Sequence, residues 1–351
     1  MMKVPRHVSV VSLMAALLAL LVACGSGGTG GSAEQPTQSG ASILPTAATT
    51  SEQPTAATNE NTNAQPTAAE ATMAPEATAA TTNTNAQPTA ATGSTSSGDD
   101  LLAQVKQSGK LRISTDANYK PQSFKNPDGS WDGFDIAVGK EIAKRLGVEP
   151  EFMDINFDVI TAGSWNDRWD INIGSMTVTA ERAQKLLFTK PYYYTPASFA
   201  VHKDSDVSAI DGLQGKNVGV GSATTYQTYL QGNLQLEGEK ILVPAPQVNV
   251  QIYDTDQLAL QDLALGNGTR LDAVLTALPT IQDAIKGGQP FKVLGDPVYY
   301  EDLGVALDKS SSKSPESLRD AINKIIEEMH QDGTLTKLSN QYYGVDLTTK
   351  K

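Results

Sequence analysis

The chain has 351 residues, with 39 acidic against 27 basic side chains and a formal net charge of −12. That length fits two domains with additions, and the acidic balance excludes the basic footprint of a nucleic-acid binder. A single cysteine, Cys24, excludes an internal disulfide; His202 and His330 have no cysteine companions, so no zinc or other metal site and no cofactor is expected.

Lys3 and Arg6 precede an apolar run over residues 8–23, interrupted by Ser9 and Ser12. The run is short for a membrane span and has the layout of a secretory signal, residues 1–23. It ends in Leu21-Val22-Ala23-Cys24, which resembles a bacterial lipobox. That resemblance implies cleavage before Cys24 and lipidation of its sulfur, hence anchorage on the extracytoplasmic side of the cell membrane. Residues 24–98 are a linker rich in Thr, Ala, Pro and Asn, and residues 61–69 recur identically as residues 83–91. So little apolar mass does not offset chain entropy, so the segment is expected to be a disordered tether. Its r.m.s. span would be roughly 45–50 Å.

From Leu101 the composition turns to alternating strands and amphipathic helices. A short helix is predicted over residues 101–107 and a strand over 110–115. The turn Asn126-Pro127-Asp128-Gly129 follows. Residues 134–146 read as a helix with Ile136, Ile142, Ala143 and Leu146 on its apolar face and Gly147 as its stop. Strands are predicted over 149–153, 171–174, 199–202, 218–220, 271–276, 291–294 and 303–307. Helices are predicted from Tyr226 and over 257–265. Ser314-Pro315-Glu316 reads as a serine N-cap with proline at the first helical position. The helix it opens buries Leu318, Ala321, Ile322, Ile325, Ile326 and Met329, and Asp332-Gly333 stops it. The alternation implies an α/β fold with a mainly parallel sheet. Ligands on such sheets bind beyond the carboxyl ends of strands, where Thr115-Asp116 and Gly174-Ser175 fall.

The stretch from Gly174 to Arg182 carries the most chemistry. Small and hydroxyl residues lead into a helix start, where free backbone N–H groups attract anions, and Arg182 adds a planar fork suited to a carboxylate. The same stretch also reads as an ordinary strand–loop–helix connection, with Thr179 as N-cap and Arg182 on the solvent face.

Several motifs together resemble the family 3 extracellular solute-binding proteins. They are Leu111-Arg112-Ile113-Ser114-Thr115-Asp116, Tyr119-Lys120-Pro121, Gly133-Phe134-Asp135-Ile136, and Met176-Thr177-Val178-Thr179-Ala180-Glu181-Arg182. Further along come Phe188-Thr189-Lys190-Pro191-Tyr192-Tyr193, Leu213-Gln214-Gly215-Lys216-Asn217-Val218-Gly219-Val220 and Leu271-Asp272-Ala273-Val274. They lie in family order across residues 109–343. The resemblance implies a two-lobe type II periplasmic-binding-protein fold with a ligand cleft between the lobes. Lobe 1 would be residues 99–195 and 299–345 and lobe 2 residues 196–298, with crossings near residues 193–198 and 296–301. It also implies a monomeric, non-catalytic receptor that hands an amino acid or related carboxylate to an ABC transporter permease.

Residue roles carry over with the motifs. Arg182 resembles the arginine that grips the ligand α-carboxylate. Gly174, Ser175 and Thr177 align with backbone or hydroxyl contacts, and Thr224 and Thr225 with the second-lobe loop that meets the same carboxylate. Tyr119 and Phe157 fall where the family places walls around the ligand side chain, and Asp116 where a cationic side chain can end. A purely structural role stays open for Asp116, Tyr119, Phe157 and Thr224.

One departure matters. The family usually places an acid, partner of the ligand ammonium, where this chain has Ala277. Either Asp116, Asp135, Glu301 or Asp302 supplies that charge, or the ligand is not a standard α-amino acid. Ala223 stands where a glycine is usual, and Trp165 reads either as a cleft residue or as core packing. Two rivals remain. One is a dehydratase-like enzyme of the same fold, although no Ser–His–Asp set or G-x-S-x-G elbow is visible and Gly219-Val220-Gly221 lacks a third glycine. The other is a ligand sensor, which would need a fused output segment; the chain closes at Lys350-Lys351, so a free receptor is expected.

Overall fold

The computed structural model describes residues 99–350. The expected signal, the lipidated Cys24 and the disordered linker lie outside the described residues. In chain order the strands are β1 (Lys110–Thr115), β2 (Asn118–Tyr119), β3 (Ser123–Lys125), β4 (Trp131–Asp132), β5 (Glu149–Asp154), β6 (Ile171–Thr177), β7 (Leu186–His202), β8 (Asn217–Gly221), β9 (Asn249–Tyr253), β10 (Ala273–Ala277) and β11 (Phe291–Asp308). The helices are α1 (Leu101–Ser108), α2 (Phe134–Leu146), α3 (Phe157–Thr161), α4 (Arg182–Lys185), α5 (Thr225–Leu230), α6 (Asp256–Leu263), α7 (Leu278–Lys286), α8 (Glu316–Gln331) and α9 (Thr334–Tyr343).

β5, β1 and β6 are parallel neighbours, and so are β10, β8 and β9. Between the two sets stand β11 and β7, antiparallel to each other and to the strands beside them, in the order β5-β1-β6-β11-β7-β10-β8-β9. The expected mainly parallel sheet is therefore two parallel sets joined by an antiparallel pair. β7 carries the chain from one set to the other and β11 brings it back. At the crossing Glu301 pairs with Thr195 and Tyr299 with Ala197. Sequence pattern reached only the ends of these two strands. Pro191, Pro196 and Pro297 break the alternation, yet each long strand is held by pairing with the other.

Each set has its own apolar core, which makes two lobes. In the first, Leu111, Ile113, Ile171 and Ile173 of the sheet pack with Ile142 of α2 and Ile322 of α8. In the second, Phe199, Val218 and Leu275 face one core, while Val274 meets Leu260 and Leu263 of α6 in another. Each buried side chain of this kind contributes roughly 1.5–3 kcal/mol. α2 has the predicted limits, and Gly147, at φ 75°, closes it by donating its N–H to the carbonyls of Ala143 and Lys144. α8 buries the predicted stripe, with Ala321 half-buried, but its start differs. It opens at Glu316, and the Ser314 hydroxyl bonds the Glu316 carboxylate at 2.7 Å instead of capping a backbone N–H. Gly333 does interrupt the helix, at φ 76°, and the chain then coils again as α9.

Candidate functional site

The strand expected to end at Gly174 continues to Thr177, with Ser175 held inside it at φ 53°. A serine there is unusual, and its surroundings fix it. Its hydroxyl donates to Asp135 Oδ2 at 2.7 Å and also meets the Tyr193 hydroxyl. Its N–H donates to the Tyr192 hydroxyl at 3.2 Å, which in turn donates to Asp135 Oδ1 at 2.8 Å. Asp135 sits in the first turn of α2 with no exposed surface. Burial raises its carboxyl to about 7, against the opposing pull of the Ser175 and Tyr192 hydrogen bonds.

Arg182 opens α4, a helix of 4 residues, so little macrodipole stands behind it. The positive charge at this point is the guanidinium itself. It is not on the solvent face. Arg182 is 9% exposed; its Nη1 donates to the Thr177 carbonyl at 3.0 Å and its Nη2 to the Ala223 carbonyl at 2.8 Å. Its guanidinium lies 5.3 Å from the Phe157 ring centre. Thr179 does cap locally, accepting the Arg182 N–H at 3.2 Å. Ala223 belongs to the loop before α5 in the second lobe, so the arginine reaches across the cleft. Two of five guanidinium N–H groups are committed, which leaves others for a carboxylate. Burial lowers the Arg182 pKa, partly offset by the charge of Glu301.

Glu301, at the crossing on β11, is 2% exposed. It accepts hydrogen bonds from the hydroxyls of Thr177 (2.6 Å), Thr225 (2.5 Å), Tyr226 (2.9 Å) and Thr195 (3.4 Å). A hydroxyl has one proton, so Thr177, Thr225 and Tyr226 turn only lone pairs to anything else. Thr224 is the N-cap of α5; its hydroxyl donates to the Gly221 carbonyl at 2.7 Å and accepts the Gln227 N–H at 3.2 Å. The Tyr119 and Tyr226 hydroxyls meet at 3.3 Å.

All nine residues singled out in the sequence line one cleft of ≈ 490 Å³ of empty volume. Asp116, Tyr119, Phe157, Gly174, Ser175, Thr177 and Arg182 come from the first lobe, Thr224 and Thr225 from the second. Of the four acids offered for the missing charge, Asp116 and Glu301 line the cleft. Asp135 lies behind Ser175, and Asp302 pairs with Lys350 at 3.2 Å. Ala277 is fully buried in the second-lobe core, and Trp165 packs against Trp169, Ile160 and Met176 in a core of its own. The wall also contains Tyr226, Asp254 and Asp256, which sequence reasoning missed. Asp256 follows the N-cap Thr255, and an acid there reads as an ordinary helix-start residue. Ala223, in place of a glycine, has φ 57°, the backbone region that favours glycine.

Two α/β lobes joined by a pair of crossing strands, with a buried arginine facing the cleft between them, define a two-lobe ligand-binding protein. The family model for bacterial extracellular solute-binding proteins, family 3, matches residues 111–345, and the chain belongs to that family. It is 34% identical over 253 residues to the L-cystine-binding protein of Escherichia coli, covering 71% of this chain and 88% of that one. It is 32% identical over 243 residues to the histidine-binding periplasmic protein of Salmonella typhimurium, covering 68% and 89%. Among solved structures, the substrate-binding protein of an amino acid ABC transporter superposes with a TM-score of 0.58 at 27% identity, covering 67% of this chain and 99% of that one.

Proposed function

We propose that this protein is the extracytoplasmic receptor of an ABC importer and that Arg182 grips the carboxylate of an amino acid, or a related small carboxylate, in the cleft. The observation that carries the reading is the buried guanidinium, lining the cleft with N–H groups to spare. A buried charge without a partner is costly, so an incoming carboxylate has a strong electrostatic reason to bind there. Phe157 under the guanidinium and Tyr119 beside Tyr226 supply apolar walls. The hydroxyl protons of Thr177 and Thr225 serve Glu301, so their part in holding a carboxylate falls to backbone N–H groups. Ser175 holds the wall in shape through Asp135.

In this reading the lobes divide at the β7–β11 crossing, residues 99–195 with 299–345 against 196–298. The mature chain is a monomer without catalysis of its own, leashed to the membrane by lipid on Cys24. The names of its relatives support amino-acid binding and delivery. A thermal-shift series with L-cystine, L-histidine and L-arginine tests the reading, run on the mature chain and on Arg182→Ala. A ligand carboxylate on Arg182 predicts a wild-type shift that the substitution abolishes. An equal shift in the variant would remove Arg182 from the role.

A further inference from the structure

The cleft wall holds one cation, Arg182, and four carboxylates, Asp116, Asp254, Asp256 and Glu301. They are not equivalent. Glu301 is saturated by four hydroxyls. Asp254 is exposed, and Asp116 is half-buried with its Oδ1 bonded to the Asn118 N–H at 2.7 Å. Asp256 is 5% exposed, the most buried of the four after Glu301. Its Oδ1 accepts the Gly221 N–H and its Oδ2 the Thr276 hydroxyl, each at 2.8 Å. Each oxygen keeps a second lone pair. Burial raises its carboxyl to about 7, Asp116 and Glu301 add repulsion, and among the described residues no salt bridge reaches it. The backbone makes room for it, since a Cβ on Gly221 would lie 2.6 Å from Asp256 Oδ1. A carboxylate desolvated this far, on the wall of a cavity and without a cation, is a receiver for one.

We propose that Asp256 receives a protonated amine of the ligand, so that the ligand is an amine-bearing carboxylate held by Arg182 from one lobe and Asp256 from the other. This rests on Arg182 holding the carboxylate. The amine N–H groups donate to the free lone pairs of Asp256. The lone pairs of Thr177, Thr225 and Tyr226, whose protons go to Glu301, add to an environment that favours a donor. A ligand so held ties the two lobes together through its own two charges.

The test is calorimetric titration of the mature chain with L-cystine, L-histidine and L-arginine, each beside the acid that lacks its α-amine: dithiodipropionate, imidazolepropionate and guanidinopentanoate. Wild type is expected to prefer at least one amino acid over its des-amino acid by about 100-fold. Asp256→Asn keeps an acceptor for the Gly221 N–H. It should weaken that amino acid by about 10–100-fold and leave the des-amino acid within about threefold. Thermal unfolding at pH 8 checks the fold, where the variant should melt no lower than wild type. Asp262→Asn, on the same helix as Asp256 but outside the cleft, where it pairs with Arg270 at 2.8 Å, should leave the preference intact. An unchanged preference in Asp256→Asn overturns the assignment while leaving Arg182 in its role. Equal binding of both ligands by wild type overturns it too. If Arg182→Ala leaves binding intact, the carboxylate reading fails instead, and the amine assignment falls with it.

Discussion

Asp135→Asn offers a direct measure of how the site is held. Asp135 has no exposed surface, and its two oxygens accept from Ser175 and Tyr192 at 2.7 and 2.8 Å. Its carboxyl stands at about 7 in the folded chain against an ordinary 3.8. An acid raised on folding favours the native state while it is protonated. Its contribution is therefore full below pH ~4, is lost as pH rises towards 7, and is flat above that. The gap amounts to ~4 kcal/mol at ~1.4 kcal/mol per pH unit, an upper limit because polar groups around a buried charge relax. Asparagine is neutral throughout and keeps one good acceptor, so it should recover ~1–3 kcal/mol at pH 8 and almost nothing at pH 4. For a chain of this size that is a rise of roughly 3–8 °C in melting temperature at pH 8. Differential scanning calorimetry of both proteins between pH 4 and 8 reads the difference. A difference that is flat with pH, or a variant that melts lower at pH 8, would refute the claim that Asp135 is a strained buried carboxylate.

Three further substitutions have defined outcomes. Ala223→Gly removes a side chain from a position at φ 57° and should raise stability by ~0.5–1 kcal/mol in urea unfolding, with the carbonyl that meets Arg182 still in place. Trp165→Ala empties a site 1% exposed and removes the indole hydrogen bond to the Ile160 carbonyl, so unfolding free energy should fall by ~3–5 kcal/mol. Ligand affinity of the folded fraction should hold, whereas a cleft role for Trp165 would show as lost affinity. Glu301→Gln replaces one oxygen by an NH₂ facing hydroxyls that donate, and should cost ~1–3 kcal/mol, read by denaturant titration.

The linear sequence carried the local information. Fixed hydrophobic periods and a left-handed glycine stop set α2 at residues 134–146, and the clustered motifs brought all nine chosen residues to one cleft. Period and capping are properties of neighbours a few residues apart, and so are legible without coordinates. The long strands β7 and β11 were not, because their pairing partner lies about a hundred positions away and their prolines hide the alternation. The direction of each proton was not legible either. That Thr177 and Thr225 donate to Glu301, and that Asp135 stands behind Ser175, depends on elements 40 to 124 residues apart in sequence meeting in space. Asp256 is the sharpest case. In sequence it is an acid at a helix start; burial, Gly221 and the neighbouring carboxylates make it a charge in want of a partner. Local chemistry named the groups, and only tertiary packing, by removing water from some and leaving others exposed, decided which of them must find their counter-charge in a ligand.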